Sequence, residues 1–168
     1  FHYSVNDIAQ LISEIKKLFY VAITLSLGER TYSEYKLWKE AGADRYLLKH
    51  ETANRDIYKQ IHPYQDFDNK IKHLEYLKNL GFQIGSGNIV GLPNQTVGDI
   101  AEDILLCEKL DVDMASFSPF IHSTDTPLAE FKNGDINLLL NTMAVARIVL
   151  KNVHIPATTD IANLDEHG

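Results

Sequence analysis

Cysteine is almost absent: the 168 residues contain one, Cys107. That count excludes an internal disulfide framework and any zinc or iron–sulfur site built from several cysteines of this chain. The seven histidines are scattered, with no His-x-His or His-x3-His pair, so a histidine-built metal site is not expected either. Positive charge is also short. With 16 Lys+Arg against 23 Asp+Glu the net charge is −7, which argues against a surface for phosphate backbones, and no nucleic-acid partner is expected. No apolar run approaches the roughly 20 residues of a membrane span and no signal-peptide pattern opens the chain, so no membrane partner and a cytoplasmic location are expected. What remains is ample core material: 45% hydrophobic and 10% aromatic residues with 23% charged describe a folded domain, not a disordered tract.

Hydrophobic periodicity switches repeatedly along the chain. Val5, Ile8, Leu11, Ile12, Ile15 and Leu18 have the spacing of an amphipathic helix that Ser4 or Asn6 can cap. Tyr20 to Leu27 is a β-rich run ended by Gly28. A short helix over Tyr32 to Ala41 is closed by Gly42, and Tyr46-Leu47-Leu48 follows as a strand. The same alternation continues with a helix from Phe67 to Leu80, a glycine-rich strand from Phe82 to Val90, and a helix from Val97 to Leu110 with Thr96 and Asp99 as a capping pair. A strand from Met114 to Phe120, a helix from Leu138 to Val149 and a fifth strand starting at Ile155 complete the pattern.

Helix–strand alternation with short connections predicts an α/β fold of β/α units on a mainly parallel sheet with right-handed crossovers. Five strands are too few for a closed (β/α)8 barrel, which takes about 250 residues. A chain that starts with a helix and ends just after a strand reads as a piece of such a barrel, residues 1–168 forming one partial domain. A complete five-stranded doubly wound sheet is the competing arrangement.

In both arrangements ligands gather at the carboxyl ends of the strands. Those ends read Ser26-Gly28-Glu29, Lys49-His50-Glu51-Thr52, Gly91-Pro93, Pro119-His122-Asp125-Thr126 and Thr158-Thr159-Asp160. Lys49 and Glu51 alternate with His50, so they share one face, where opposite charges require a ligand or partners. Gly85, Gly87 and Gly91 do not form a dinucleotide fingerprint; they serve close backbone approach or packing. Cys107, beside Leu105 and Leu106 on a helix, reads as a small buried hydrophobe. Trp38 and the tyrosines read as packing residues.

The runs Thr24-Leu25-Ser26-Leu27-Gly28-Glu29, Glu40-Ala41-Gly42-Ala43-Asp44-Arg45-Tyr46-Leu47-Leu48-Lys49-His50-Glu51-Thr52-Ala53-Asn54, Val90-Gly91-Leu92-Pro93-Asn94-Gln95-Thr96 and Ile155-Pro156-Ala157-Thr158-Thr159 resemble the radical S-adenosylmethionine (SAM) enzymes of the biotin-synthase group. Within that group the likeness is greatest to the [FeFe]-hydrogenase maturases; biotin synthase and methylornithine synthase match the His-Glu-Thr-Ala-Asn and Ile-Pro-Ala-Thr-Thr runs less well. The resemblance runs from about Val5 to Gly168. It implies a (β/α)8 TIM-type barrel holding a [4Fe–4S] cluster and S-adenosylmethionine, whose reductive cleavage yields a 5′-deoxyadenosyl radical. The family's cluster cysteines lie in a Cys-x3-Cys-x2-Cys motif after its first strand, in a segment that precedes this chain, and Cys107 is in the wrong element to replace them. The chain alone is therefore expected to be inactive.

Carried over residue by residue, the resemblance places Lys49, Glu51 and Lys70 at S-adenosylmethionine contacts, with Ile89 and the stretch from Gly87 to Gly91 along the adenosyl moiety. It places Thr24, Arg45, Met114, Thr158 and Thr159 in a substrate pocket inside the barrel. Lys49 and Lys70 stand where the family has arginine, keeping the charge but losing the bidentate fork. Asn88, Asn94 and His122-Ser123-Thr124 also depart from its pattern. Arg45 with Thr158 and Thr159 suits a carboxylate, hence an amino-acid-derived small-molecule substrate, and other hydrogenase maturation proteins are the implied partners. A non-catalytic half-barrel that binds a partner is the alternative. The opening Phe in place of Met points to a truncated sequence, and a partial barrel with open strand edges is expected to self-associate.

Overall fold

The computed structural model describes residues 3–162. Their elements run α1 (Val5–Leu18), β1 (Thr24–Leu25), α2 (Tyr32–Glu40), β2 (Arg45–Leu47), α3 (Arg55–Ile61), α4 (Phe67–Asn79), β3 (Gln83–Val90), α5 (Val97–Lys109), β4 (Met114–Pro119), α6 (Ile136–Leu150) and α7 (Thr159–Ala162). The strands form one four-stranded sheet in the order β1-β2-β3-β4, every neighbouring pair parallel. This sequential order, with a helix returning the chain after each strand, is the topology of barrel-type β/α units.

Local sequence sets the helix starts. Ser4 with Asp7, Thr31 with Glu34, and Thr96 with Asp99 form reciprocal capping boxes for α1, α2 and α5. Asn54, Asp66 and Asp135 cap α3, α4 and α6 through their side-chain oxygens. Strand alternation then divides the sheet. Leu25, Tyr46, Ile84, Ala115 and Phe117 face the helices and join Ile12, Trp38, Leu74, Leu77, Ile104 and Leu139 in the main core. Tyr46 stacks on Trp38 at 6.4 Å between ring centroids, and its hydroxyl donates to the Gly28 carbonyl, so the aromatic layer also fixes the loop after β1. The opposite face carries Thr24, Arg45, Leu47, Gln83, Gly85, Met114 and Lys49.

Three expectations need correction. The run Tyr20 to Leu27 contributes only Thr24–Leu25 to the sheet, because β1 has a neighbour on one side alone and Tyr20 is fully exposed. The fifth strand is reduced to a single bridge, Met114 to His154. Pro156 has no N–H for a ladder, and Thr159 begins the short helix α7 instead of lying in a strand. The described residues therefore supply four strands, half the number of a (β/α)8 barrel. Helix α3 was not expected; seven residues are too few to display a period, and only its Asn54 cap was readable.

Candidate functional site

Because the strands are parallel, their carboxyl ends meet along one rim, and the chemistry-bearing side chains gather there. Lys49, two residues beyond β2, reaches across β3 to β4, donating from Nζ to Ser118 Oγ at 2.6 Å. Its Nζ is 4.0 Å from Glu51 Oε2, so the two do share one face. Burial pushes the Lys49 ammonium below the usual lysine range, opposed by the carboxylates of Glu51 and Asp160. Glu51 is itself held in the left-handed region, φ 69°, with its N–H donating to Gly87 O and its carbonyl accepting from Ile89 N. Gly87 permits this close weave: a Cβ there would lie 1.9 Å from the Ser116 carbonyl oxygen.

Glu51, Ile89 and Ser118 line a cleft of about 340 Å³ together with His62, Phe120 and Asp160. An adjoining, more apolar cleft of about 600 Å³ opens between residues 60–65 and 120–128 and shares His62 and Phe120 with it. Two carboxylates, Glu51 and Asp160, give the inner cleft acidic character, with apolar walls from Ile89, Leu92 and Phe120. Burial pushes the His62 imidazole down, so this ring is neutral near pH 7.

Lys70, on α4, is 92% buried and pairs with Glu29 past β1, Nζ to Oε1 at 2.8 Å. His73 Nε2 lies 3.5 Å from the other Glu29 oxygen, and Tyr35 OH 3.1 Å from His73 Nδ1. The Tyr35 hydroxyl is pushed up to about 12, chiefly by burial, and stays protonated.

Thr24, Arg45 and Met114 meet elsewhere, at the amino-terminal ends of the strands, with Gln83, Asp113 and His154 around a space of about 50 Å³. Four residues of extended chain separate Arg45 from Lys49, roughly 13 Å. Arg45 donates to Gln83 Oε1 at 2.7 Å. Thr158 lies before α7 with its hydroxyl buried and without a hydrogen-bond partner among the described residues, and Thr159 is exposed at the start of that helix. The predicted residues thus form a rim group (Lys49, Glu51, Ile89), a paired cation beside it (Lys70), and a group at the opposite end of the strands (Thr24, Arg45, Met114); Thr158 and Thr159 do not join that last group and adjoin Asp160 of the rim cleft. Sequence reasoning missed His62, which follows the unforeseen α3, and saw Asp160 only as a polar strand end.

These parallel β/α units with a charged cleft at the carboxyl rim define the class. The Radical SAM superfamily profile matches residues 2–107, and the chain belongs to that superfamily. It is 46% identical over 167 residues to the [FeFe] hydrogenase maturase subunit HydE of Thermotoga maritima, covering 99% of this chain and 48% of that protein. A biotin synthase from Acinetobacter calcoaceticus is 28% identical over 88% of this chain and 45% of its own length. A crystal structure of methylornithine synthase (PylB) superposes with a TM-score of 0.83 at 24% identity, over 90% of this chain and 45% of that one. The chain spans about half the length of the known relatives it matches.

Radical SAM enzymes use S-adenosylmethionine and a [4Fe–4S] cluster. The described residues do not fit the cluster: none of them forms a group of three or more His, Cys, Asp or Glu able to hold a metal. Cys107 is buried on α5, and burial pushes its thiol up to about 12. The inner cleft does fit S-adenosylmethionine by its donor set. The Glu51 and Asp160 carboxylates suit the sulfonium and ammonium, the apolar wall suits the adenine ring, and Lys49, bonded to the lining Ser118, is the cation next to the cleft for the carboxylate.

Proposed function

We propose that this chain is part of a radical SAM enzyme of [FeFe]-hydrogenase maturation, and that its rim cleft holds S-adenosylmethionine. The supporting observation is the convergence of Glu51, Asp160 and Ile89 in one cleft of ligand size, with Lys49 against its lining residues Glu51 and Ser118. The ammonium of Lys49 meets the methionyl carboxylate; Glu51 faces the cationic part of the cofactor; Ile89 packs on the adenosyl group; Lys70, anchored by Glu29, adds a second cation at the rim. Bound there, S-adenosylmethionine would supply, on one-electron reduction, a 5′-deoxyadenosyl radical for a small-molecule substrate. The described residues offer no cluster ligands. Their part is to bind, orient and keep water from the radical.

The maturase reading rests on the 46% identity to HydE against 28% to biotin synthase. Thr24, Arg45, Met114, Thr158 and Thr159 are then the substrate side of the barrel, with Arg45 as the carboxylate-binding cation, and residues 1–168 form one partial barrel domain. Other hydrogenase maturation proteins are its partners. Alone, with β1 unpaired on one side and Leu18, Phe19 and Tyr20 exposed, the chain self-associates. The test is anaerobic iron and sulfide reconstitution of the full-length protein, reduction, and detection of 5′-deoxyadenosine. Its formation from S-adenosylmethionine is the expected result; a reconstituted, reduced protein that forms none leaves the half-barrel as a binding module.

A further inference from the structure

Behind the rim, on the face turned toward the helices, lies a polar cluster with no exposure to solvent. Asp103 of α5, His50, Ser86 and Asn88 are each 0% exposed. Asp103 Oδ2 accepts from Asn88 Nδ2 at 2.6 Å, and Oδ1 accepts from the backbone N–H of Ala53. His50 Nε2 is 3.5 Å from the same Oδ1, while its Nδ1 is 2.9 Å from Ser86 Oγ. Ser86 also accepts from the His50 N–H and donates to the Leu48 carbonyl. One carboxylate on a helix thus takes donors from β3 and from the segment that follows β2.

That segment carries Glu51. The Thr52 N–H donates to the His50 carbonyl at 2.9 Å, and Glu51 between them has φ 69°. This is a γ-turn of the rare, strained hand. A non-glycine residue keeps such a conformation only where its surroundings over-determine it, and strain of this kind gathers at ligand-binding positions. Here Ala53, after the turn, is held by Asp103, and His50, before it, by Ser86. A buried carboxylate is a poor way to gain stability, since well-packed apolar groups do as well or better. Its value lies in fixing the geometry of what it holds.

We propose that Asp103, steadied by Asn88, is the positioning residue for Glu51. It keeps the γ-turn closed before any ligand arrives and so aims the Glu51 carboxylate into the cleft beside Lys49. Asp103 touches no ligand itself, and the role it serves rests on the reading of Glu51 as a contact to S-adenosylmethionine.

The test uses the full-length, reconstituted protein as wild type, Asp103→Asn, Glu51→Gln and the double variant, with two readouts. The first is amide hydrogen exchange at Thr52 and Ala53 without ligand; the second is the dissociation constant of S-adenosylmethionine by equilibrium dialysis. Asp103→Asn is expected to speed exchange at both amides and to weaken binding about tenfold, the scale on which supporting partners of a ligand group act. The double variant is expected to bind no more weakly than Glu51→Gln alone, because Asp103 acts through Glu51. Unchanged exchange in Asp103→Asn, or a double variant that loses the product of the two single effects, overturns the proposal. If Glu51→Gln leaves affinity intact while Asp103→Asn opens the turn, the positioning stands and the ligand contact falls. Should Asp103→Asn not fold, Asn88→Ala, which removes the side-chain donor that steadies the Asp103 carboxylate, is judged by the same readouts.

Discussion

Lys70 and Glu29 join α4 to the end of β1 through a 2.8 Å ion pair, with side-chain exposures of 8% and 23%. Removing the cation would leave a mostly buried carboxylate whose remaining support is Asn69 Nδ2 at 3.0 Å and the His73 ring. Lys70→Met should therefore cost about 2 kcal/mol, below the roughly 3–5 kcal/mol of a fully buried pair. Chemical denaturation of the full-length protein measures it, and an unchanged midpoint would show that the pair contributes nothing.

Gly87 and Gly28 both have positive φ, but only Gly87 is crowded. Its φ is 150°, with Ser116 backbone atoms inside any Cβ position, whereas Gly28 at 73° has nothing within 4 Å. Gly87→Ala should prise β3 from β4 and prevent accumulation of folded protein. Gly28→Ala should cost only about 1 kcal/mol of backbone strain. Soluble yield and thermal melting distinguish the two, and equal effects would mean the β3–β4 contact is looser than this.

The buried Lys49 links the cleft to alkaline pH. Its folded value is pushed below 10.5, mainly by burial, so between that depressed value and 10.5 the unfolded chain binds more protons than the folded one. Stability attributable to this residue is thus lowest where the ammonium is charged in both states, and rises with pH through that window. Lys49→Met should remove the rise. Denaturation midpoints for both proteins from pH 7 to 10.5 test this; parallel curves would contradict it.

Cys107 is a core residue, fully buried with a thiol pushed up to about 12. Cys107→Ala should cost about 1 kcal/mol of packing and leave the iron and sulfide content of the reconstituted full-length protein unchanged. A drop in bound iron would make Cys107 a ligand.

The helices were legible because their signals are local: the Ser4–Asp7 and Thr96–Asp99 boxes and the Leu74 and Leu77 stripe act within a few residues. Lys49 and Glu51 could be placed on one face because strand alternation demands it. Strand lengths could not be read, since a residue such as Val21 counts as strand only if a neighbour pairs with it, and that neighbour is a tertiary matter. The partners of His50 were hidden for the same reason: Asp103 lies on α5, more than fifty residues along, and nothing in its surroundings within the sequence announces a buried carboxylate. The separation of Arg45 from the rim also needed the sheet register, which pairs Arg45 with Gln83 at the amino-terminal end.

The account turns on the cleft of Lys49, Glu51 and Ile89 as the seat of S-adenosylmethionine. Equilibrium binding to the full-length, reconstituted protein tests it most directly, comparing wild type with Lys49→Met and Glu51→Gln at equal iron content. The prediction is a loss of about tenfold or more in each variant, the scale of one charged contact, about 1.4 kcal/mol or above. Wild-type affinity in both variants would contradict it.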